Sequence, residues 1–260
     1  QSWNQILKTL SEEDLIGQLL CYDIYDKDDP AEVEKILREI HPGGIYVKGM
    51  TPEKIAMYRA MANKYTKVPV IVAADVENGP GEALKGTAYI PHVMASGAAD
   101  DPALVEESAA EIAKICRKSG IDWDFSPVVD LQKNFRSPIT NIRAASDDPD
   151  EVIKIQGAFL KGLQSHQDMV GCAKHFPGDG DDERNCHFVT TLNPLSKEEW
   201  MASYGKVYKA FIAQGVPSIM VGHIALPWAE KEIDPFFGPM PGVLSKGIMN
   251  DLLKKELGFK

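Results

Sequence analysis

The feature that most constrains this chain is the strict alternation of amphipathic helical segments with short, continuously apolar runs. "SEEDLIGQLL" (11–20) reads as a helix, with Ser11 as its cap and acidic residues in the first turn. "LLCYDIY" (19–25) follows as a first strand, then helix "DPAEVEKILREI" (29–40) and strand "HPGGIYVKG" (41–49). Helix "TPEKIAMYRAMANKY" (51–65) leads to "VPVIVAADV" (68–76), the clearest strand in the sequence. A long helix (101–120) stops at Gly120 before strand "IDWDFSPVVDL" (121–131). Helix 148–166 precedes strand "MVGCAKHF" (169–176); helix 196–215 precedes "VPSIMVGHIAL" (216–226); a last helix covers 245–258.

Strands that are apolar along their whole length have no solvent-facing side. The alternation therefore implies parallel strands covered by helices. A doubly wound open sheet and a barrel both satisfy that demand. A nucleotide-binding open sheet places a glycine-rich turn after its first strand, whereas "CYDIYDKDDP" (21–30) contains no glycine. The predicted fold class is α/β, a (β/α)8 TIM-type barrel, for which 260 residues suit a single domain over 1–260. Only six of the eight strands are found before Lys260. The barrel is expected to be incomplete, its remaining strands supplied by another piece of the same parent polypeptide.

Charge narrows the partners. A net charge of −10 without a clustered Lys/Arg patch argues against nucleic acid. The basic residues Lys254, Lys255 and Lys260 read as the solvated end of a helix. No apolar run reaches membrane-spanning length, so no membrane partner is expected. The four cysteines lack CxxC spacing, which suggests neither a disulfide framework nor a zinc site. No charged-then-apolar leader is present, and the default location is cytoplasmic. The first residue is Gln1 rather than Met, so a removed leader is compatible with that start.

In a barrel the active site lies at the carboxyl ends of the strands. Polar residues gather at those positions: Asp75, Glu77 and Asn78 after the third strand, and Asp130 after the fourth with Arg143 further along its loop. Lys174 and His175 follow the fifth, and His223 the sixth. They predict a pocket lined with hydrogen-bonding groups. The segment "AKHFPGDGDDERNCHF" (173–188) concentrates the most chemistry and carries a second histidine, His187. His175, His187 and His223 could be imagined as a metal site. However, the first two lack i, i+4 spacing and no cysteine helps, so no metal is expected.

"KHFPGDG" (174–180) with "DERNCH" (182–187) resembles the signature of glycoside hydrolase family 3, in its β-N-acetylglucosaminidase-like branch. The similarity extends to "AADVENGPG" (73–81), "DFSPVVDL" (124–131), "NIRAASDDP" (141–149), "VGHIALP" (221–227) and "PGVLSKGIMNDLLKKELGF" (241–259). The resemblance implies that Asp75, Arg143, Lys174 and His175 hold the hydroxyls of a terminal sugar, with His223 beside them. The residue types suit that role, since a carboxylate accepts from two hydroxyls while Arg and Lys donate to their oxygens. The plain alternative is an internal ion-pair network supporting loops. Asp130 is expected to support the pocket rather than touch sugar. The resemblance also implies that His187 is the acid/base, on a loop after the fifth strand, because an imidazole titrates near neutrality. It implies no cofactor.

Two departures from the family pattern stand out. Asn185 occupies the place where the family has an aspartate beside the histidine. An amide can orient His187 but cannot stabilise its imidazolium with charge, unless Asp181, Asp182 or Glu183 takes that part by loop rearrangement. The family's nucleophilic aspartate lies just beyond "KELGF"-like sequence, and neither Asp234 nor Asp251 matches it. The chain alone is therefore expected to be poorly stable and inactive. The expected function of the parent is a retaining glycoside hydrolase acting on terminal N-acetyl-β-D-glucosamine in a glycan, such as a cell-wall fragment. The alternatives are an N-acetylglucosaminide phosphorylase, since a neutral or cationic acid/base tolerates an incoming anion better than a carboxylate does, and a non-catalytic carbohydrate-binding relative.

Overall fold

The computed structural model describes residues 3–166, 169–236 and 238–260. They fall into two compact units, one running to Tyr89 and resuming over Ile112–Asp124, the other made of Ile90–Glu111 and Phe125–Lys260.

In the first unit, short helices α1 (Trp3–Leu7) and α2 (Glu12–Gly17) precede β1 (Cys21–Tyr25), α3 (Pro30–Ile40), β2 (Gly44–Lys48), α4 (Pro52–Asn63), β3 (Ile71–Ala74) and β4 (Trp123–Asp124). Local chemistry sets the helix starts. Ser11 and Asp14 form a reciprocal capping box at α2, while Asp29 and Thr51 cap α3 and α4, each followed by a proline at the first helical position. The four strands pair in the order β1-β2-β3-β4, all parallel. Ile45, Val47, Val72, Ala73 and Ala74 are fully buried, as strands sandwiched on both sides require. Asp122, just before β4, ties strand to helix. Its carboxylate pairs with both Arg59 and Arg117 and accepts the Val72 N–H at 2.9 Å.

The second unit contains α5 (Val93–Ala99), the part of α6 (Pro102–Lys118) up to Glu111, α7 (Pro149–Gln164), β5 (Cys172–Phe176), β6 (Thr191–Leu192), α8 (Lys197–Ala202), α9 (Tyr204–Ala213), β7 (Ser218–Val221) and β8 (Ile224–Ala225). β5 pairs in parallel with β7, and β6 with β8. A short antiparallel pair, β9 (Ile233–Asp234) with β10 (Gly238–Pro239), follows. Phe176 anchors the core, edge-on to Tyr208 at 4.9 Å and to Trp200 at 6.0 Å between ring centroids, with all three fully buried. Gly162 of α7 lets two helices touch: a Cβ there would stand 2.2 Å from the carbonyl oxygen of Glu106.

The α/β plan and the parallel strands agree with the sequence expectation. Among the described residues the strand pairing forms no closed ring: the four-stranded sheet ends on β1 and β4, and the other sheets have two strands each. Several boundaries differ. The strand expected over 121–131 is paired only at Trp123–Asp124 and at an isolated bridge from Val128 to Lys174. Pro127, which has no N–H to give a ladder, interrupts it. The helix expected over 196–215 breaks at Ser203 (φ −116°, ψ −95°), which closes α8 and opens α9. The last helix winds as a π-helix over Gly247–Glu256. The short helix α5 has no counterpart in the sequence expectation.

Candidate functional site

In the second unit the chemistry-bearing residues cluster around β5. On β5, buried at every position but one, Lys174 is 2 % exposed and His175 is the half-buried exception. Asp130, 1 % exposed, lies two residues beyond the Val128 bridge and receives three donors. Its Oδ1 accepts the backbone N–H groups of His175 (3.1 Å) and Asp179 (2.8 Å); its Oδ2 lies 2.7 Å from His175 Nδ1. An ionised carboxylate only accepts, so Nδ1 carries the proton and Nε2 of a neutral ring is left to accept. Asp130 thus positions His175.

Asp179 is the residue that sequence reasoning passed over. It lies inside the "KHFPGDG" motif between two glycines. Its Oδ1 accepts the Gly180 N–H at 2.7 Å, while its Oδ2 is buried with no hydrogen-bond partner. Burial, reinforced by the Asp130 charge, pushes its carboxyl up to about 6, against the pull of His175 and Arg143. Two carboxylates in one buried setting cannot both ionise easily, and the acid with fewer donors yields.

The loop that carries Asp179 is pinned by buried side chains. Trp200 Nε1 donates to the Pro177 carbonyl at 2.8 Å and Asn193 Nδ2 to that of Gly178 at 3.2 Å. The buried Tyr204 hydroxyl lies 2.6 Å from Asp181 Oδ2 and 2.8 Å from the Asp179 carbonyl oxygen. Gly178 (φ 120°) and Gly180 (φ 116°) adopt backbone that glycine favours. A Cβ on either would meet the Tyr204 ring at 2.2 Å or the Leu131 carbonyl oxygen at 1.8 Å.

Beyond Gly180 the loop becomes exposed and turns on itself. Asp182 takes Arg184 in a bidentate pair (Nε–Oδ1 2.9 Å, Nη2–Oδ2 2.5 Å), which with its other donors holds its carboxyl down at about 2. Asn185 Oδ1 accepts the backbone N–H of His187 at 2.9 Å and lies 2.8 Å from its Nδ1. An amide oxygen can only accept, so Nδ1 of the exposed imidazole is again the protonated nitrogen and Nε2 is free for proton exchange. The alternative in which a neighbouring carboxylate replaces Asn185 is not what the structure adopts. Asp181 faces Tyr204, Asp182 faces Arg184, and Glu183 faces Arg136 at 3.3 Å. His223 is exposed and, with His187, lines one hollow of about 460 Å³.

Arg143 ends a short 3-10 turn (Asn141–Arg143); its Nη1 donates to the Ile139 carbonyl at 3.1 Å, and its charge is felt at Asp179. In the first unit Asp75 follows β3, half-buried, and accepts the Tyr46 hydroxyl at 2.9 Å. Asn78 is held by Glu82 (2.6 Å) and Glu77 is buried. Among the described residues no group of three His, Cys, Asp or Glu side chains could hold a metal ion, and no helix is long and apolar enough to cross a membrane.

Known proteins share this arrangement of elements. Over 256 residues the chain is 36 % identical to a β-N-acetylglucosaminidase/β-glucosidase of Cellulomonas fimi, covering 97 % of this chain and 45 % of that protein. A β-hexosaminidase of Stenotrophomonas maltophilia is 34 % identical over 199 residues, covering 74 % of this chain and 56 % of the relative. Among solved structures, the β-glucoside phosphorylase BglX superposes with a TM-score of 0.90 at 30 % identity, over 98 % of this chain and 46 % of that one. A family 3 β-N-acetylglucosaminidase from Paenibacillus gives 0.87 at 27 %, over 96 % and 48 %. The chain thus spans about half the length of the curated relatives it matches. The model of the glycosyl hydrolase family 3 N-terminal domain matches residues 11–260, and the chain belongs to that family.

Proposed function

We propose that the protein cleaves terminal N-acetyl-β-D-glucosaminides by a retaining double displacement in which His187 is the acid/base. The observation that carries this reading is the Asn185–His187 pair, which fixes Nδ1 as the donor and leaves Nε2 exposed. In the first step a protonated Nε2 gives its proton to the departing glycosidic oxygen. In the second, the neutral nitrogen takes a proton from water. Arg143, Lys174 and His175, the last positioned by Asp130, hold the hydroxyls of the sugar, and His223 stands beside the leaving oxygen; a hydroxyl-accepting role for Asp75 rests on the family resemblance alone. The covalent step needs a carboxylate on the opposite face of the sugar, and none of the described residues is assigned that role. Asp234 Oδ1 accepts the Phe236 N–H at 2.8 Å, and Asp251 pairs with Lys255 at 2.6 Å.

A second reading has specific support. Asn185 brings no negative charge to the side from which the second reactant arrives, and a 30 %-identical relative is a β-glucoside phosphorylase. Phosphate in place of water would give a sugar 1-phosphate. The test is turnover of a chromogenic N-acetyl-β-glucosaminide and of the matching glucoside by the full-length protein, with and without inorganic phosphate. Preference for the N-acetyl sugar and free sugar as product are expected. Phosphate-dependent turnover with sugar 1-phosphate would transfer the assignment to phosphorolysis, and no turnover of either substrate would overturn both readings.

A further inference from the structure

The hollow beside His187 has features that sugar hydrolysis alone does not require. Its walls include Phe188 and Phe236, whose side chains are 85 % and 89 % exposed, together with Thr190, His223 and Pro241. Isolated exposed apolar residues are common, but here two large rings from separate loops face one concavity. Neither is carried by slack backbone. The Asn185 carbonyl accepts the Phe188 N–H at 3.0 Å, and Asp234 Oδ1 fixes the turn that carries Phe236. Backbone held in this way loses little freedom on binding, which makes such positions effective platforms.

We propose that this hollow is the subsite for the leaving group, and that it takes a second, neutral pyranose stacked on Phe188 and Phe236. The inference rests on the acid/base role of His187: its free Nε2 must reach the glycosidic oxygen, so whatever departs lies on the His187 side of the bond. A pyranose is amphipathic in the way the walls are, with a face of C–H groups for the aromatic rings and a rim of hydroxyls for Thr190 and His223. A purely aryl or alkyl group would leave those polar groups unanswered. A carboxylate-bearing sugar would want a fixed cation. None of the lining residues is Lys or Arg, and the nearby Arg184 is committed to Asp182.

The test is calorimetric binding to the full-length protein of three probes: N-acetylglucosamine, a non-cleavable thio-linked disaccharide with N-acetylglucosamine as its second ring, and a thio-disaccharide ending in a uronic acid. The neutral disaccharide is expected to bind about tenfold tighter than the monosaccharide, and the acidic one no tighter than the monosaccharide. Phe188→Ala and Phe236→Ala should each collapse the disaccharide-to-monosaccharide ratio towards one, while Phe188→Tyr keeps it. Both rings are exposed, so thermal melting of the variants should match the parent. Equal affinity for monosaccharide and neutral disaccharide, or an unchanged ratio in both Ala variants, overturns the subsite while leaving the sugar reading intact. Tighter binding of the uronic acid probe overturns the neutral specificity. Failure of every sugar to bind overturns the subsite and the proposed function together.

Discussion

Two aspartates, one in each unit, meet burial in opposite ways. Asp122 in the first unit is flanked by two guanidinium groups and a backbone donor, so its charge is answered on the spot. Asp130 in the second unit is answered by two N–H groups and an imidazole, and its neighbour Asp179 is left with an oxygen that nothing reaches. The first arrangement holds strand and helix together, with both carboxylate oxygens paired to guanidinium groups. The second keeps a histidine at a set angle and pushes the Asp179 carboxyl up, at some cost to stability. Paired charges support a fold, whereas carboxylates that share scarce donors mark where chemistry is being set up.

That contrast can be broken most directly at Asp130. Asp130→Asn with its oxygen kept on the two backbone N–H groups turns an NH₂ towards His175 Nδ1 in place of an acceptor, and kcat/KM should fall about 100-fold. A fall of less than about twofold would make Asp130 a mere filler. Asp122→Asn should do the reverse, lowering stability by about 1.5–3 kcal/mol in a melting experiment while kcat stays at the parent value; a matching loss of kcat would dissolve the distinction.

Asp179→Asn sharpens the comparison through pH. The carboxyl is pushed up to about 6 from an ordinary 3.8, so the native state holds this proton more tightly than the unfolded chain does. Stability is accordingly lost as pH rises through that interval. The variant should melt higher than the parent above about pH 7, by about 2–4 °C for each kcal/mol recovered, and should show no gain near pH 4. A gain at both values would point to packing instead. The smallest effect is expected at Asn185. Asn185→Asp adds the missing charge beside His187 and should raise hydrolytic turnover about three- to tenfold; lower turnover would show that the amide is the better partner.

The sequence made some of this visible and hid the rest for physical reasons. Apolar runs with clear caps gave the strands of the first unit because burial on both faces leaves an unmistakable pattern. The fourth strand is shorter than its sequence suggests because apolar "PVVDL" implies a ladder that Pro127 cannot join. Nothing in "EWMASYGKVY" announces the turn at Ser203. Lys174, His175 and His187 stand out because such residues are costly next to a buried strand, and the two-residue spacing of Asn185 and His187 already allows one side chain to reach the other. Asp179 stays hidden because its importance lies in a missing partner, which only three-dimensional structure reveals. Phe188 and Phe236 read as stray apolar residues in polar loops until their shared hollow is seen.

The two glycines of the "PGDG" turn have one further consequence. With an aromatic ring behind one and a carbonyl behind the other, neither position can accept a side chain without dislodging the Asp130–His175 geometry. Variation in what the protein recognises therefore has to be written elsewhere, on the largely exposed stretches 183–189 and 231–236. Anyone redesigning its substrate range would keep the grip unaltered and recut only the mouth.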